Sequence, residues 1–308
     1  MLDIYELQIF LAAAETGSFS GAGRRLQMSQ PAISMQIRSL EKRLGVELFS
    51  RAGRHIQLTE AGEALVPMAR ELVNLSIRTE EAIASLQGEV VGLLKVACST
   101  SAGKYVLPKL IASFIERYPQ VQVACDVGPR GSSIRQLLDG SAHIAISSLR
   151  EPYRELEYRP FITDPVILIT PPAHPWARRG SITVEELLNG RFIVREPDSG
   201  TQQAVLEALA AFNLGLGALN VVMTLGNSEA IAMAVAEGIG AAFISERVAA
   251  EWISTHRVAT VSIEGLNIVQ QLYMVRHAHR AATRAQTAFW EHVYEPESRA
   301  LLSRPAAG

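Results

Sequence analysis

The chain has 308 residues, of which 48% are hydrophobic and 19% are charged, and its formal net charge is −2. This length predicts two or three domains, and the composition excludes disordered and fibrous proteins because each domain can bury a core. The near-neutral total charge identifies no partner, so charge has to be examined locally. Two cysteines are too few for a disulfide framework and indicate a reducing compartment, which predicts a cytoplasmic protein.

No segment has the pattern of a signal peptide or a membrane span. Residues 1–16 lack a basic start and contain Asp3, Glu6 and Glu15. The most apolar later stretch, 230–244, is interrupted by charge and glycine and falls short of the ~20 residues that cross a bilayer. We therefore expect no membrane partner.

Positive charge is concentrated near the start of the chain. Residues 16–58 carry seven lysines and arginines against two glutamates, a net charge of +5, so the remaining residues carry −7. A small basic unit attached to a larger acidic body is typical of a protein that binds nucleic acid. A basic face that is merely solvated is the alternative.

The basic segment predicts two helices, at residues 18–26 and 29–44, joined by a very short turn. Apolar residues at helical spacing predict the buried stripe of the second helix as Ile33, Ile37, Leu40 and Leu44. The opposite face carries amide, hydroxyl and cationic side chains, which can pair with base edges and phosphates in a DNA major groove. Ser29 can cap this helix and Pro31 fits its first turn, which leaves backbone N–H groups free near a phosphate.

The candidate DNA-binding residues come from this helix and from the segment after it. The helix contributes Ser29, Gln30, Pro31, Ser34, Met35, Gln36, Arg38 and Lys42. Residues 48–55 predict a turn and a short strand, and this wing adds Arg51 and Arg54 for phosphate or minor-groove contacts.

A heptad pattern follows the wing. One apolar position recurs at residues 58, 65, 72, 79 and 86, where only Thr79 is polar, and a second recurs three residues later. Thr59 predicts the N-cap, Gly88 predicts the stop, and Pro67 predicts a local kink without a break. Such a seam buries itself against another helix, so residues 59–88 are expected to pair with a second copy. Packing on its own domain is the alternative.

From residue 93, short β-branched runs alternate with amphipathic stretches. Strands are predicted at 94–98, 121–127, 144–147, 166–170, 192–195, 221–224, 241–245 and 269–276, and helices at 106–117, 133–138, 202–212 and 229–237. This rhythm predicts a mostly parallel sheet covered by helices, in two lobes with a ligand cleft between them. The last strand is placed back in the first lobe. The first lobe is then 93–162 with 268–295, and the second is 163–267.

Three predicted strand-to-helix turns share one chemistry, because each offers hydroxyl or amide groups beside a helix N-terminus that favours an anion. The candidate effector-binding residues are Ser99, Thr100, Ser101, Ser147, Ser199, Gly200, Thr201, Asn227 and Ser228. Arg195 and Arg130 either add charge to the cleft or are ordinary surface residues. We predict a small anionic effector, a carboxylate or a phosphate, whereas routine helix capping is the alternative.

The N-terminal segment resembles the winged helix-turn-helix of LysR-type transcriptional regulators. The elements SFS, SQPAIS, QIRSLE, LGVELF and LTEAG follow one another in order and without gaps. The rest of the chain is similar to the effector-binding lobes of that family in YVLPKLIASFIERYP, LLDG, HPWA and VAEGIGAAFIS. The resemblance covers residues 2–293. It implies an α/β protein with a winged helix-turn-helix at 1–58, a linker helix at 59–88 and a two-lobed, periplasmic-binding-protein-like (type 2) effector domain at 93–308.

Four residues depart from the family pattern. Met35 replaces a polar or basic side chain, which shifts expected base reading toward Gln30, Ser34, Gln36 and apolar contact with thymine. Gly21 and Gly23 replace small alanines, each at a cost of about 1 kcal/mol of helix propensity. His143 replaces an acidic residue, and a surface or hydrogen-bonded histidine is favoured over a pH sensor.

The resemblance also implies partners. It implies a regulator that binds double-stranded promoter DNA as a homodimer through the linker helix and as a homotetramer through the lobes, and it leaves RNA polymerase open as a further partner. No cofactor is expected besides the effector, whose identity the sequence does not give. The segments EPDSGTQQAVLEAL and CSTSAGKYVLPKL are most similar to regulators of carbon dioxide fixation genes and of sulfur assimilation genes, so both pathways stay open.

The sequence allows two other classes of protein as alternatives. An enzyme is disfavoured because no Gly-x-Ser-x-Gly, Walker or HExxH motif occurs, and His277 with His279 makes only a weak metal site. Cys98 and Cys125 on neighbouring strands form either a redox switch or, as we favour, buried thiols. A small-molecule-binding module without sequence-specific DNA binding is the alternative of another class.

Overall fold

The computed structural model describes residues 2–52, 55–84, 89–128 and 130–303, and the chain forms two compact units. The first unit contains the chain up to Glu89 with Asp139–Ser141 and Ala282–Arg284, and the second contains the rest. Each unit has hydrophobic cores of its own. Within the described residues, none of the helices combines the length and the apolar character needed to cross a membrane.

The first unit consists of three short helices, a β-hairpin and a long helix. In chain order these are α1 Ile4–Thr16, α2 Phe19–Leu26, α3 Gln30–Leu44, β1 Phe49–Ala52, β2 His55–Leu58 and α4 Glu60–Ala84. The predicted helix pair is confirmed as α2 and α3, and the predicted long helix as α4. The core joins all of these helices, since Phe10, Ile33, Leu40 and Ala69 are fully buried together.

Two details of this unit sharpen the sequence interpretation. The wing has two antiparallel strands where the sequence predicted one, because β2 pairs residue for residue with β1. The Thr59 hydroxyl caps α4 as predicted, accepting the Gly62 N–H at 3.1 Å, and the helix continues past Pro67. Gly88, the predicted stop, lies outside the described residues.

The second unit alternates strands and helices along the chain. Its elements are β3 Gly92–Cys98, α5 Thr100–Tyr105, α6 Leu107–Arg117, β4 Val121–Val127, α7 Arg130–Asp139, β5 Ile144–Ser147, β6 Leu156–Thr170, α8 Pro175–Arg179, β7 Ser181–Ile182, β8 Arg191–Arg195, α9 Gly200–Ala210, β9 Asn220–Leu225, α10 Ser228–Ala236, β10 Ala241–Ser245, α11 Glu246–Ser254, β11 Ala259–Ile263, β12 Ile268–His277, α12 Arg284–His292 and α13 Pro296–Ser303. Short 3₁₀ helices occupy Glu185–Asn189 and Leu216–Ala218.

The strands of this unit form one sheet in the order β4-β3-β5-β12-β6-β10-β8-β9, with β11 pairing with β6 and β7. Pairing is parallel on both flanks, where β3 lies beside β4 and β5, and β8 beside β9 and β10. At the centre, β6 and β12 run antiparallel to each other and to their neighbours. The expectation of a mostly parallel sheet is therefore corrected to a mixed sheet, because the chain leaves the first lobe in β6 and returns in β12.

Each lobe has its own apolar interior. Leu94, Phe114 and Phe289 lie in the interior of the first lobe, and helices α6 and α12 cover the sheet there. In the second lobe, Phe192 stacks on Phe243 with their ring centres 6.1 Å apart, and α9 and α10 contribute to two clusters. The two lobes are joined by the long strands β6 and β12 at the centre of the sheet.

The clearest difference from the sequence prediction is the length of β6. The sequence predicted a strand over 166–170, whereas β6 extends from Leu156 to Thr170. Its first half includes Pro160, which disfavours a central strand, and only Leu156 and Phe161 are buried there, so no apolar run or alternation marked it. The predicted lobe boundary at 162/163 falls inside this single strand.

Candidate functional site

Helix α3 presents the predicted DNA-reading face of the first unit. The Ser29 hydroxyl caps the helix by accepting the Ala32 N–H at 3.3 Å, and the last turn closes at Gly45 in the left-handed conformation. Ile33, Ile37 and Leu40 are buried as predicted. Leu44, predicted in the same stripe, is 37% exposed because it is the final helical residue.

The outward face of α3 is mainly polar. Gln30, Arg38 and Lys42 are exposed, and within the described part of the chain none of these three side chains has a hydrogen bond or an ion pair. Met35 is 64% exposed on the same helix, and contact of this apolar side chain with water is unfavourable compared with burial against a partner. Pro31 is exposed, and Ser34 and Gln36 are half-buried. This face offers an amide, two cations and an apolar tip to a partner.

Two carboxylates, which the sequence analysis missed, fix α3 and the wing. Glu6 is 4% exposed, and its Oε1 accepts hydrogen bonds from Ser39 Oγ at 2.9 Å and from Arg43 Nη2 at 3.0 Å. The Glu41 carboxylate accepts the backbone N–H groups of Leu48, at 2.8 Å, and of the next residue, at 3.3 Å. The first contact locks α1 onto α3, and the second locks the start of the wing onto α3.

Two glycines of this unit permit close backbone contacts. A Cβ at Gly23 would lie 2.6 Å from the Met28 carbonyl oxygen, in the turn between α2 and α3. A Cβ at Gly62 would lie 2.3 Å from the Leu48 carbonyl oxygen, between α4 and the wing. The expectation that Gly23 only weakens its helix is therefore corrected, since alanine does not fit there without movement of the turn.

The structure describes the two wing arginines only in part. Arg51 lies in β1 opposite Ile56, although its side chain lies outside the described residues, as does the whole of Arg54. Their predicted phosphate contacts stay predictions.

The long helix α4 has an exposed apolar stripe. Met68 is 61%, Leu72 37%, Leu75 51% and Ile83 63% exposed, whereas Ala69 and Val73 are buried in the core of the unit. Met68, Leu72 and Leu75 occupy positions of the predicted heptad, whereas Ile83 lies next to the predicted position 82. Leu86, the last residue of the predicted seam, lies outside the described residues.

The second unit contains a cavity of about 450 Å³ between its lobes. Five predicted effector residues line it, namely Ser99, Ser101, Ser199, Gly200 and Thr201. Three others do not line it. The Ser147 hydroxyl donates to the Leu149 carbonyl at 2.9 Å, the Asn227 side chain caps α10, and the Ser228 hydroxyl accepts from Arg195. The side chains of Thr100 and Arg130 lie outside the described residues.

One helix N-terminus opens into this cavity at Gly200, the first residue of α9. A Cβ on Gly200 would lie 1.8 Å from Ser148 Oγ, so the absence of a side chain lets the second lobe approach the first. Ser148, beside the predicted Ser147, lines the cavity. Helix α5 has only six residues and contributes the Ser101 side chain rather than a helix dipole.

The charged side chains of the cavity are largely engaged with one another. Arg195 donates to both Glu196 carboxylate oxygens at 2.7 Å and to Ser228 Oγ at 2.6 Å. Arg247 donates to the Leu302 carbonyl at 3.0 Å. Asp198 adds an exposed carboxylate at the rim. Within the described lining, the cavity therefore has no surplus of positive charge, and an anion there depends on hydroxyl and backbone N–H donors.

A buried polar chain lies at the inner end of the cavity. Thr201 Oγ1 donates to Gln270 Oε1 at 3.3 Å, and Gln270 Nε2 donates to Asp164 Oδ2 at 2.6 Å. Burial raises the pKa of Asp164, while the hydrogen bond from Gln270 and the charge of Arg247 oppose that rise. Sequence reasoning missed this chain, although a polar residue inside each of two apolar strands was the available signal.

A second polar cluster connects helices of the two lobes. Lys104 Nζ and the Tyr105 hydroxyl, both on α5, bind the Glu229 carboxylate on α10, the tyrosine at 2.9 Å. Burial raises the pKa of Glu229, but the hydrogen bonds from Lys104 and Tyr105 outweigh burial and lower it overall. These contacts hold α5 of the first lobe against α10 of the second lobe.

Among the described residues, the cysteines form no disulfide and the histidines belong to no group suited to a metal ion. Cys98 and Cys125 lie on the neighbouring strands β3 and β4 as predicted, and both are free thiols. Burial raises the pKa of Cys98 to about 12, whereas Cys125 is exposed, so the expectation of two buried thiols is wrong for Cys125. His277 Nδ1 accepts two backbone N–H groups, and within the described ranges no group of side chains is suited to a metal ion. His143 is hydrogen-bonded, accepting the Lys95 N–H at 3.2 Å.

Comparisons with known proteins match both units. A family model described as the LysR substrate binding domain matches residues 87–295, and a model described as a bacterial regulatory helix-turn-helix protein of the lysR family matches residues 4–63. A probable RuBisCO transcriptional regulator of Trichormus variabilis is 33% identical over 94% of this chain and 86% of its own length. The RuBisCO operon transcriptional regulator of Allochromatium vinosum is 30% identical over 97% of each chain.

Solved structures show the same architecture. Full-length CbnR complexed with its target DNA superposes with a TM-score of 0.68 at 22% identity, over 95% of this chain and 99% of CbnR. The regulatory domain of Synechocystis CcmR in complex with 2-PG superposes with a TM-score of 0.61 at 25% identity, over 70% of this chain and all of that domain. The predicted fold class, with its helix-turn-helix, linker helix and two-lobed domain, is thereby confirmed.

Proposed function

The chain belongs to the LysR family of DNA-binding transcriptional regulators, which are not enzymes, and we propose that it controls carbon dioxide fixation genes in response to a small anionic metabolite. The observation that supports this pathway most is the similarity to RuBisCO regulators over nearly the whole chain, both units included. Because its proposed partner is promoter DNA, we propose a cytoplasmic location for the protein. Sulfur assimilation genes are the competing target, and selective binding to the upstream DNA of one gene set or the other separates the two pathways.

DNA reading is assigned to the exposed face of α3. Gln30 has no internal partner among the described residues and suits an adenine edge, whereas Arg38 and Lys42 suit guanine or phosphate. The exposed stripe of α4, with Met68 and Leu75, is the proposed dimer seam. A dimer through α4 would put two recognition helices on half-sites ~34 to 36 Å apart, and contacts between lobes would join dimers into a homotetramer that bends DNA.

The effector is assigned to the interlobe cavity, whose volume suits a small metabolite. The hydroxyls of Ser99 and Ser101, with the N-terminal N–H groups of α9, are the proposed donors to its anionic group, whereas the Thr201 hydroxyl donates to Gln270. The 2-PG bound to the CcmR regulatory domain supports a ligand of this kind. Binding would shift the population of lobe arrangements and so change the bend in DNA.

The test is fluorescence anisotropy of the full chain on four DNA duplexes over a salt series. The duplexes come from upstream of its own gene, of carboxylase genes, of sulfur assimilation genes, and from scrambled sequence. We expect selective binding to the first two with a steep negative salt slope, and a change on addition of small phosphates or carboxylates. Selective binding upstream of sulfur genes alone would overturn the pathway. Equal, weak binding to all four would overturn sequence-specific DNA binding.

A matched variant separates the two halves of the proposal. Ser101→Ala removes one cavity hydroxyl in the second unit and leaves α3 untouched. It is expected to reduce the metabolite response while DNA affinity without metabolite stays at the wild-type value. Loss of both would show that Ser101 acts on folding rather than on the effector.

A further inference from the structure

The inner end of the cavity lies where the two crossing strands meet. Asp164 on β6 and Gln270 on β12 are direct partners in the strand register, and both line the cavity. The Asp164 side chain is only 3% exposed, and Gln270 contacts just one of its two carboxylate oxygens. A charge buried this deeply is stable only when its remaining lone pairs are satisfied.

Three polar atoms at this end have no hydrogen-bond partner in the described residues. They are Asp164 Oδ1, Ser245 Oγ and Arg247 Nε. Arg247 Nε forms an ion pair with Asp164 Oδ1 at 3.5 Å, and the Ser245 hydroxyl lies close enough to the carboxylate to oppose the rise of the Asp164 pKa, but neither contact has the distance and angles of a direct hydrogen bond. One acceptor, one donor and one group that can do either therefore remain open side by side.

A neutral hydroxyl is the group that satisfies this arrangement. Its O–H can donate to Asp164 while its oxygen accepts from Arg247. A second anion would be repelled by the buried carboxylate, and a cation would be repelled by the guanidinium. The Arg247 side chain is 26% exposed, which leaves it room to turn when a ligand enters. The ligand end nearest the crossing strands is thus expected to be polar and uncharged.

We propose that this cavity selects hydroxylated anions, with the anionic group at the α9 N-terminus and a hydroxyl between Asp164 and Arg247. The inference rests on the proposed function, because it specifies the class of metabolite that the effector cavity takes. It also explains how binding is transmitted. A hydroxyl at Asp164 contacts the pair of strands that joins the lobes, so the ligand acts directly on the connection that sets their arrangement.

The test uses matched ligands that share the anionic group and the three-carbon chain and differ only in their hydroxyl groups. Glycerol 3-phosphate is compared with n-propyl phosphate, and glycerate with propionate, by isothermal titration calorimetry on the full chain. Succinate serves as the probe with a second anion. A hydrogen bond to a charged group changes affinity by about ten- to a hundredfold, so the hydroxylated member of at least one pair is expected to bind more tightly by that factor. Succinate is expected to bind no better than propionate.

Three variants assign the preference to residues. Asp164→Asn is expected to reduce the preference for the hydroxylated ligand to about threefold or less, because one open acceptor is lost. Asp198→Asn removes the same charge from the exposed rim of the same cavity and is expected to keep the full preference. Ser245→Ala leaves both charges in place. If Asp164→Asn does not fold, Ser245→Ala tests the inner site instead. It is expected to lower the preference for the hydroxylated ligand several-fold.

The outcomes separate this inference from the function on which it rests. If both members of each pair bind equally, the hydroxyl preference is overturned while the anion site stands. If Asp198→Asn lowers the preference as much as Asp164→Asn does, the effect is general charge and the inner site is overturned. If none of the five probes binds, both the anionic effector and the hydroxyl preference fail, although DNA binding by α3 does not.

Discussion

Replacement of Gly23 by alanine sets two physical effects against each other. In an exposed helix the change gains about 1 kcal/mol, because alanine is the better helix former. Here the added Cβ would lie 2.6 Å from the Met28 carbonyl oxygen, a backbone atom that can move only with the whole turn. Overpacking costs about 1–3 kcal/mol, and a contact this short with a backbone atom falls in the upper part of that range, about 2–3 kcal/mol. We therefore expect Gly23→Ala to lower the free energy of unfolding of the first unit by about 1 to 2 kcal/mol.

The chain provides its own internal control for this measurement. All three tryptophans, Trp176, Trp252 and Trp290, belong to the second unit, whereas the first unit is largely helical. Far-ultraviolet circular dichroism follows both units, and tryptophan fluorescence follows only the second. Gly23→Ala is expected to lower the midpoint of the first unit by roughly 4 to 15 °C, without moving the fluorescence transition.

Gly21→Ala is the matched substitution in the same helix. Its Cβ would meet the side chain of Thr16, at 3.0 Å from Cβ and 3.2 Å from Oγ1, rather than a backbone atom. That contact can relax by a small side-chain shift, so we expect a much smaller change in unfolding free energy. DNA affinity should fall with Gly23→Ala, because the turn orients α3. A Gly23→Ala protein as stable as wild type would refute the argument from close approach.

Three further predictions concern the seam, the reading face and the thiols. Leu75→Glu on α4 should weaken dimerisation by roughly a hundredfold or more, since about 1.5–3 kcal/mol of burial is lost from each copy; sedimentation velocity showing an unchanged dimer would contradict the seam. In anisotropy measurements, Gln30→Ala should cost about 1–3 kcal/mol of binding free energy at one base pair. Lys42→Ala should reduce the slope of log affinity against log salt by about one. Equal losses of affinity on specific and scrambled DNA for Gln30→Ala would exclude base reading by Gln30. At mildly alkaline pH a thiol reagent should label Cys125 first and Cys98 only on unfolding, because burial keeps Cys98 protonated up to about pH 12; rapid double labelling would disprove this.

The first unit was the more predictable part of the chain. Ser18 and Ser29 cap α2 and α3, and helical spacing placed Ile33 and Ile37 in the core, so local signals and tertiary packing agree. Glu6 and Gly23 escaped prediction for a shared reason. Their roles depend on contacts with other elements. The Glu6 carboxylate of α1 binds side chains of α3, and Gly23 lies against a carbonyl of the following turn. The spacing of residues along the chain does not reveal such contacts.

The cavity shows the same division between local and distant information. Ser199, Gly200 and Thr201 were identified because a helix start carries a local signal. Asp164 and Gln270 were not, because their proximity follows from pairing between strands about 100 residues apart in sequence. Ser147 illustrates the reverse error, since it is the last residue of β5 and is buried, whereas Ser148, in the bend that follows the strand, lines the cavity.

The position of β12 between β5 and β6 has a consequence for synthesis on the ribosome. Strand β12 enters the sheet directly beside β5, yet it is translated about 120 residues later. At about 5–20 residues per second, β5 waits roughly 6 to 24 s with an open edge. The second lobe is complete in the nascent chain during that interval, whereas the first still lacks its central strand. The lobe whose translation begins first is therefore the last to close.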